Sequence, residues 1–325
     1  GWTWLAQPMA AEIDSRIWTP GVCTGISSAS QFARRVAGLP ILGVVRVEST
    51  DAAIQAQQNV SAGRAASIYS HDEAEIAHWS RYIECSTLSI NCCVQYRPGL
   101  QPCGAWAPAL CGEAALQGGS NYITALAQWQ ETGRPQRRGK QRNIPFAPWD
   151  ALSPKPSPDE AMRLTTAADS ISYWWENEFG ITRILNPQPG QETSLRYKPA
   201  KLCIRVGKAT SDIDLSISLM AALKAGCNVQ ISTATLRPWM PRCLEQLGVP
   251  FQVENRAEFE SRFAAMASDG IWVRDTAATE QTLAAAAACN LRLSNDSVLG
   301  NARLEFLHYL REQIITRCTA RHGKL

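Results

Sequence analysis

The chain has 325 residues, room for about two domains of the usual ~100–200 residues, and its 45% apolar content is ordinary for a protein with buried cores. A formal charge of +3 supplies no overall field to recruit nucleic acid or membrane, and no apolar run reaches the ~18 residues of a spanning helix. The eleven cysteines are scattered along a long chain, which argues against a disulfide framework and for free, mostly buried thiols.

The first patterned region covers residues 1–130. Residues 41–47 form a β-branched run and read as a strand. Ser49, Thr50 and Asp51 then cap a helix over 52–58. Residues 66–69 read as a short strand, and Ser70 with Glu73 reads as a capping box opening the next helix. Residues 88–91 read as a strand. Residues 131–160 are proline-rich and read as a linker. Its first part carries Arg134, Arg137, Arg138, Lys140 and Arg142, but no aromatic is interleaved, so the reading is a solvated linker and not a specific nucleic-acid site.

Residues 161–325 alternate strands and helices. Strands are expected over 201–206, 228–232, 251–253, 271–274 and 290–293, with helices over 212–225, 238–247, 257–267, 279–289 and 301–311 between and after them. Gly226 and Gly248 stand where the first two of these helices should stop. This βαβ alternation predicts an α/β fold with a Rossmann-like, doubly wound parallel sheet. A last strand is expected over 313–318, and the terminal segment 314–321 is expected to leave that domain as a β-arm.

Several stretches resemble the late catalytic domain of aldehyde dehydrogenases. They are Trp18-Thr-Pro-Gly21, Leu39-Pro-Ile-Leu-Gly-Val-Val-Arg-Val47, Asp51-Ala-Ala-Ile54, Ser67-Ile-Tyr-Ser-His-Asp-Glu-Ala-Glu-Ile-Ala-His-Trp79, Leu88-Ser-Ile-Asn91, Gln101-Pro-Cys-Gly-Ala-Trp106 and Gly118-Gly-Ser-Asn-Tyr122. Further on, Leu195-Arg-Tyr-Lys-Pro199, the stretch 298–313 and Arg321-His-Gly-Lys324 are similar to the C-terminal domain of long proline-utilization A proteins. The resemblance implies an aldehyde dehydrogenase catalytic-domain remnant followed by a Rossmann-like domain that is thought not to be catalytic. In that family a proline dehydrogenase and a glutamate-semialdehyde dehydrogenase are fused, and the dinucleotide-binding half and the nucleophilic cysteine precede the segment that begins here.

The family positions that fall inside this sequence have changed. Its Glu-x-Phe-Gly-Pro motif, whose Glu holds the nicotinamide ribose, aligns with Val36 at the Glu and Gly38 at the Phe. Valine accepts no hydrogen bond from a hydroxyl, and glycine cannot wall a ring. The Gln-Pro-Phe-Gly-Gly loop reads Gln101, Pro102, Cys103, Gly104, Ala105, and Ala109 falls at a substrate-binding Ser. The expectation is therefore a chain without catalytic residues, cofactor or metal of its own, an accessory subunit that works through other protein subunits. The alternative is the C-terminal fragment of an active bifunctional enzyme with its NAD site and nucleophile upstream.

Other motifs carry less. Gly207-Lys208-Ala209-Thr210 follows a strand but lacks the upstream glycine of a P-loop. Cys92, Cys93, Cys103 and Cys111 lack the paired spacing of a zinc site. His71 and His78 read as one face of a helix surface, His308 as structural, and Tyr173, Trp174 and Trp175 as core or interface. Ile314, Ile315, Thr316, Arg317 and Cys318 of the arm are the expected contact residues, since a strand edge can add to another sheet. The cysteine content and the Gly1 start give an expectation of a processed mitochondrial protein, with the cytoplasm as the alternative.

Overall fold

Three sheets organise the chain. The computed structural model describes residues 2–35, 40–61, 63–93, 102–106, 116–132, 144, 152–185 and 189–319. A small sheet comes first, in the order β1 (Thr3–Ala6), β2 (Gly21–Thr24), β3 (Ile41–Val44), with helix α1 (Gln31–Arg35) between the last two strands. Next come α2 (Thr50–Ser61), β4 (Ala65–Ile68), α3 (Glu73–Tyr82) and β5 (Thr87–Ile90). Ser49 opens α2 by accepting from the Ala52 amide at 3.2 Å. The cap of α3 is Asp72, not Ser70: its carboxylate accepts from the Ala74 and Glu75 amides, while the Ser70 hydroxyl donates to Glu75. His71 thus precedes the helix, and His78 pairs alone with Asp51 at 2.6 Å. Ile54, Ile76, Trp79, Ile83 and Leu88 form the core between these helices and strands.

The short α4 (Tyr122–Ala125) leads toward the linker region, and α5 (Pro158–Trp174) follows it. Pro158 is no linker residue. It sits in the first turn of α5, where its missing N–H costs nothing, behind the Ser157–Glu160 capping box. A π-turn over Trp175–Phe179 packs Trp175 and Phe179 against Phe306, so this aromatic cluster feeds the core.

Then come β6 (Arg183–Ile184) and the long β7 (Gln191–Pro199), followed by the expected alternation: β8 (Lys201–Val206), α6 (Asp212–Lys224), β9 (Asn228–Thr233), α7 (Met240–Gln246), β10 (Phe251–Val253), α8 (Arg256–Ser261), α9 (Phe263–Ser268), β11 (Ile271–Arg274), α10 (Glu280–Ala288), β12 (Leu293–Ser294) and α11 (Ala302–Glu305). The five strands β8 to β12 are all parallel, in the order β10-β9-β8-β11-β12, as the doubly wound reading requires. Both faces are covered: Leu202, Ile204 and Trp272 lie in the core shared with α5, α6 and α7, while Cys203 and Val273 pack on Phe259, Phe263 and Ala286. Gly226 and Gly248 end α6 and α7 at φ +76° and +65°. The helix expected over 257–267 breaks at Arg262 into α8 and α9. The one expected over 301–311 ends at Glu305 and passes through a 3-10 turn, Phe306–His308, into β13 (Leu310–Cys318).

β13 is where the expectation changes most. With β7 it forms a long antiparallel ribbon that leaves the parallel sheet, as an arm should. Its other edge pairs with β5, Ile314 to Thr87 through Arg317 to Ile90, giving a third sheet in the order β4-β5-β13-β7-β6. The arm therefore lands on this chain's own first region, and Ile314, Ile315, Thr316 and Arg317 have both strand edges occupied there.

Candidate functional site

In a doubly wound sheet, ligands bind beyond the carboxyl ends of the strands where the strand order reverses, here between β8 and β11. The turn leaving β8 runs from Gly207 to Ser211. A Cβ added at Gly207 would come within 3.1 Å of the Ala277 methyl, so the β11 side already fills the approach a pyrophosphate needs. Ser211 caps α6 through the Asp214 amide at 3.0 Å, and Asp212 and Asp214 occupy its first turn. Those carboxylates already balance the helix N-terminus. Arg237 binds Asp212 and the Thr210 carbonyl, Trp239 donates to Asp212 at 3.0 Å, and Arg163 donates to Asp214 at 2.8 Å. This residue set does not fit a dinucleotide: its anion-binding end holds two acids, and these engage Arg163 and Arg237.

Buried charge fills the rest of that edge. Arg205 donates to Ser232 at 2.7 Å and to the Glu254 carbonyl at 3.0 Å, with its guanidinium over the Phe259 ring. Arg262 reaches Glu254 at 2.6 Å, and Arg256 binds Asp275. Arg274 reaches Ser294, the carbonyls of Asp296 and Ser297, and Glu305 at 3.4 Å. Ser294, His308 and Asp296 are neighbours but make no catalytic triad. The Ser294 hydroxyl lies 3.0 Å from Nδ1 of His308, and Asp296 approaches that same nitrogen at 3.9 Å, whereas a triad base needs its acid on the opposite nitrogen. Burial, with Arg274 nearby, holds His308 well below its usual range, so it stays neutral.

The loop expected to be degenerate for substrate forms a clamp over residues 102–106. Cys103 bridges Gln117 through paired backbone bonds of 3.0 and 2.7 Å. Gly104 presses on Leu116, where a Cβ would meet its Cδ2 at 2.5 Å, and its carbonyl accepts from Ser86 at 2.6 Å. Trp106 donates from Nε1 to the Glu312 carbonyl at 2.9 Å. The Glu312 carboxylate accepts from the Leu116 amide at 2.6 Å and from Asn121, which also donates to Tyr197 at 2.9 Å. Pro102, Cys103, Gly104 and Ala105 therefore sit on the route that ties the first region to β13. Val36, Gly38, Gln101, Ala109, Cys111 and the Arg134–Arg142 run lie outside the described residues. Among the described residues no group of three His, Cys, Asp or Glu is placed to hold a metal, and no helix is long and apolar enough to cross a membrane.

Sequence reasoning missed Arg196 and Lys198 on β7. Arg196 donates to the Ser80 carbonyl at 2.5 Å, and Lys198 to the Arg81 carbonyl at 2.8 Å, so both cap the C-terminal turn of α3. Burial pulls Lys198 down to about 8 and pushes Cys203 and Cys227 up to about 12. The lysine's lowered value makes stability rise with pH between 8 and 10.5. The raised thiol values make stability fall above 9, the unfolded value, until the folded thiols ionise. Between pH 8 and pH 10 the lysine contributes about +2 kcal/mol and the two thiols together about −3. Lys198→Met should therefore lose about 2 kcal/mol more stability than the wild type over the same span. Urea unfolding at the two pH values checks this, and parallel curves for both proteins would refute it.

Residues 6–130 match the aldehyde dehydrogenase family. That covers β2 and β3 of the small sheet, the β4–β5 unit and the clamp loop, but not the parallel sheet. Across its whole length the chain superposes on proline utilization A from Corynebacterium freiburgense with a TM-score of 0.70 at 21% sequence identity, covering 100% of this chain and 30% of that one. The fold is thus shared with that protein, and the chain spans less than a third of its length. An aldehyde dehydrogenase from Brucella melitensis biovar abortus 2308 gives a TM-score of 0.31 at 17% identity, over 42% of this chain and 30% of that one. No curated relative matches the chain.

Proposed function

We propose that the chain is a non-catalytic accessory part of an assembly related to proline-utilization aldehyde dehydrogenases, acting by protein–protein contact. One observation carries this reading: the small sheet leaves an apolar face open. In its register Trp4 and Cys23 share one face with Gly21 and Gly43, and that face is covered by Pro8 at Gly21 and by Ile26 at Gly43. Val22, Leu42 and Val44 point the other way, and Leu42 is 61% and Val44 40% exposed. A sheet gains stability by burying a face, so this one suits a second polypeptide surface. The self-filled crevice of the parallel sheet points the same way, since Arg256, Arg262 and Arg274 pair there with Asp275, Glu254 and Glu305.

The second reading is that the covering surface belongs to the same polypeptide, upstream. Its support is that the chain matches proline utilization A end to end yet spans 30% of that protein. Native mass spectrometry of the endogenous protein tests both. A chain of 35.6 kDa held among other subunits supports the accessory role. A single polypeptide about three times that mass or more, ending in this sequence and oxidising an aldehyde with NAD, replaces it with the second reading. A free, stable monomer overturns both.

A further inference from the structure

At the carboxyl end of β5 the ladder is carried on by side chains. Asn91 takes a left-handed turn at φ +55°, which asparagine tolerates better than most residues. Its amide then acts like one more backbone unit toward β4: it accepts from the Ser70 amide at 2.9 Å and donates to the Ser70 carbonyl at 2.9 Å. Toward β13 the same role falls to Cys92, whose Sγ lies 3.7 Å from the Thr316 carbonyl.

This brings the Cys92 thiol to the end of β13, where Cys318 lies. β5 and β13 are parallel, and their last pair is Ile90 with Arg317. Cys318 is the next residue on one strand, and Cys92 lies two beyond Ile90 on the other. The register would set Cys318 beside Asn91, and the left-handed turn at Asn91 brings the Cys92 Sγ back to the Thr316 carbonyl, where the Cys318 amide donates to it and the Cys318 thiol lies near. Both thiols are partly exposed and free.

We propose that Cys92 and Cys318 form a reversible disulfide that latches the arm strand β13 onto β5. A peroxide is the oxidant. The Cys318 thiolate attacks one peroxide oxygen; an S–O bond forms, the O–O bond breaks, and hydroxide leaves. The Cys92 sulfur then attacks the resulting sulfenic sulfur; the S–S bond forms, the S–O bond breaks, and the oxygen leaves as water with the Cys92 proton. Two thiols lose two electrons in all, the peroxide gains them, and a dithiol reductant reverses the change by exchange. Burial pushes the Cys92 thiol up, which disfavours its thiolate as the first attacker on the peroxide.

The latch would close a covalent loop through nearly all of the second region and fix the junction on which the two regions depend. The experiment treats the full chain with a few equivalents of hydrogen peroxide and maps peptides without reduction. The expected product is a Cys92–Cys318 cross-link that is lost in Cys318→Ser and in Cys92→Ser, kept in Cys93→Ser and reversed by dithiothreitol. Amide exchange in residues 87–90 and 314–317 should slow at least tenfold on oxidation. A Cys92–Cys93 bond, or higher oxidation of single thiols without the cross-link, would overturn the pairing. A cross-link that leaves exchange unchanged would overturn the latch.

Discussion

Truncation after Tyr309, which removes β13, is expected to strip amide protection from residues 87–90 and 191–199 while residues 201–206 and 271–274 stay protected. β13 is the strand on which two others depend. It pairs with β7 along nine residues, from Leu310 with Pro199 to Cys318 with Gln191, and with β5 along four. Its side chains reach further: Gln313 donates to the Cys85 carbonyl at 2.7 Å and accepts from Arg196 at 2.7 Å, and Glu312 holds the clamp loop. Without β13, β5 and β7 are left as edges with unpaired backbone groups over apolar faces. The parallel sheet keeps its helices on both faces and should hold. The graded form of the same test is Ile314→Ala. Ile314 is fully buried in the main core, so the substitution should cost about 3 kcal/mol, the middle of the usual 2–5 range for such a cavity. Hydrogen exchange with mass spectrometry reads the truncation, and urea unfolding reads the substitution. Full protection at 87–90 in the truncated chain would mean that β13 serves another surface, as the bare sequence suggests.

The parallel sheet is legible in the sequence because its rules are local. Runs such as Leu202-Cys-Ile-Arg-Val206 alternate with helices that stop at glycines in left-handed turns, and neither depends on distant residues. The clamp loop could be found from its resemblance, but its new role could not. That role depends on Glu312 and Trp106, which lie far apart in sequence and meet only when β13 docks. Helix α5 was hidden because Pro158 reads as a linker proline until Ser157 and Glu160 are weighed as a cap. β7 was hidden because charged residues interrupt it, although Thr193, Leu195 and Tyr197 alternate correctly toward the core. For α3 two capping side chains compete, and Ser70 loses to Asp72 because its hydroxyl is committed to Glu75. The self-filled crevice was least legible of all. Arg274 meets Asp296, Ser297 and Glu305 through the return of α11 against β11, and no spacing rule encodes that encounter.

Arg274→Met is expected to destabilise the chain by about 4 kcal/mol, within the usual 3–5 range for breaking a buried ion pair. Arg274 is 1% exposed and Glu305 0%, so removing either leaves a charge without water and without its partner. The loss is compounded because Arg274 also satisfies the Asp296 carbonyl at 2.5 Å and the Ser297 carbonyl at 3.2 Å, while Glu305 accepts from the Leu299 amide at 2.8 Å and from the Tyr309 hydroxyl. Glu305→Leu alone should cost a similar amount. The double variant Arg274→Met, Glu305→Leu should fall short of the sum of the singles by about 2 kcal/mol or more, because it removes both charges together. Arg16→Met, which breaks an exposed pair with Asp14 on the surface, should change nothing measurable and serves as the control. Urea unfolding of the four variants decides the case. Strong coupling makes the carboxyl edge of the parallel sheet a structural keystone, with its charges committed to one another. Weak coupling with little loss of stability would show those charges to be dispensable for folding, and an edge of that kind would be free to be held for a ligand.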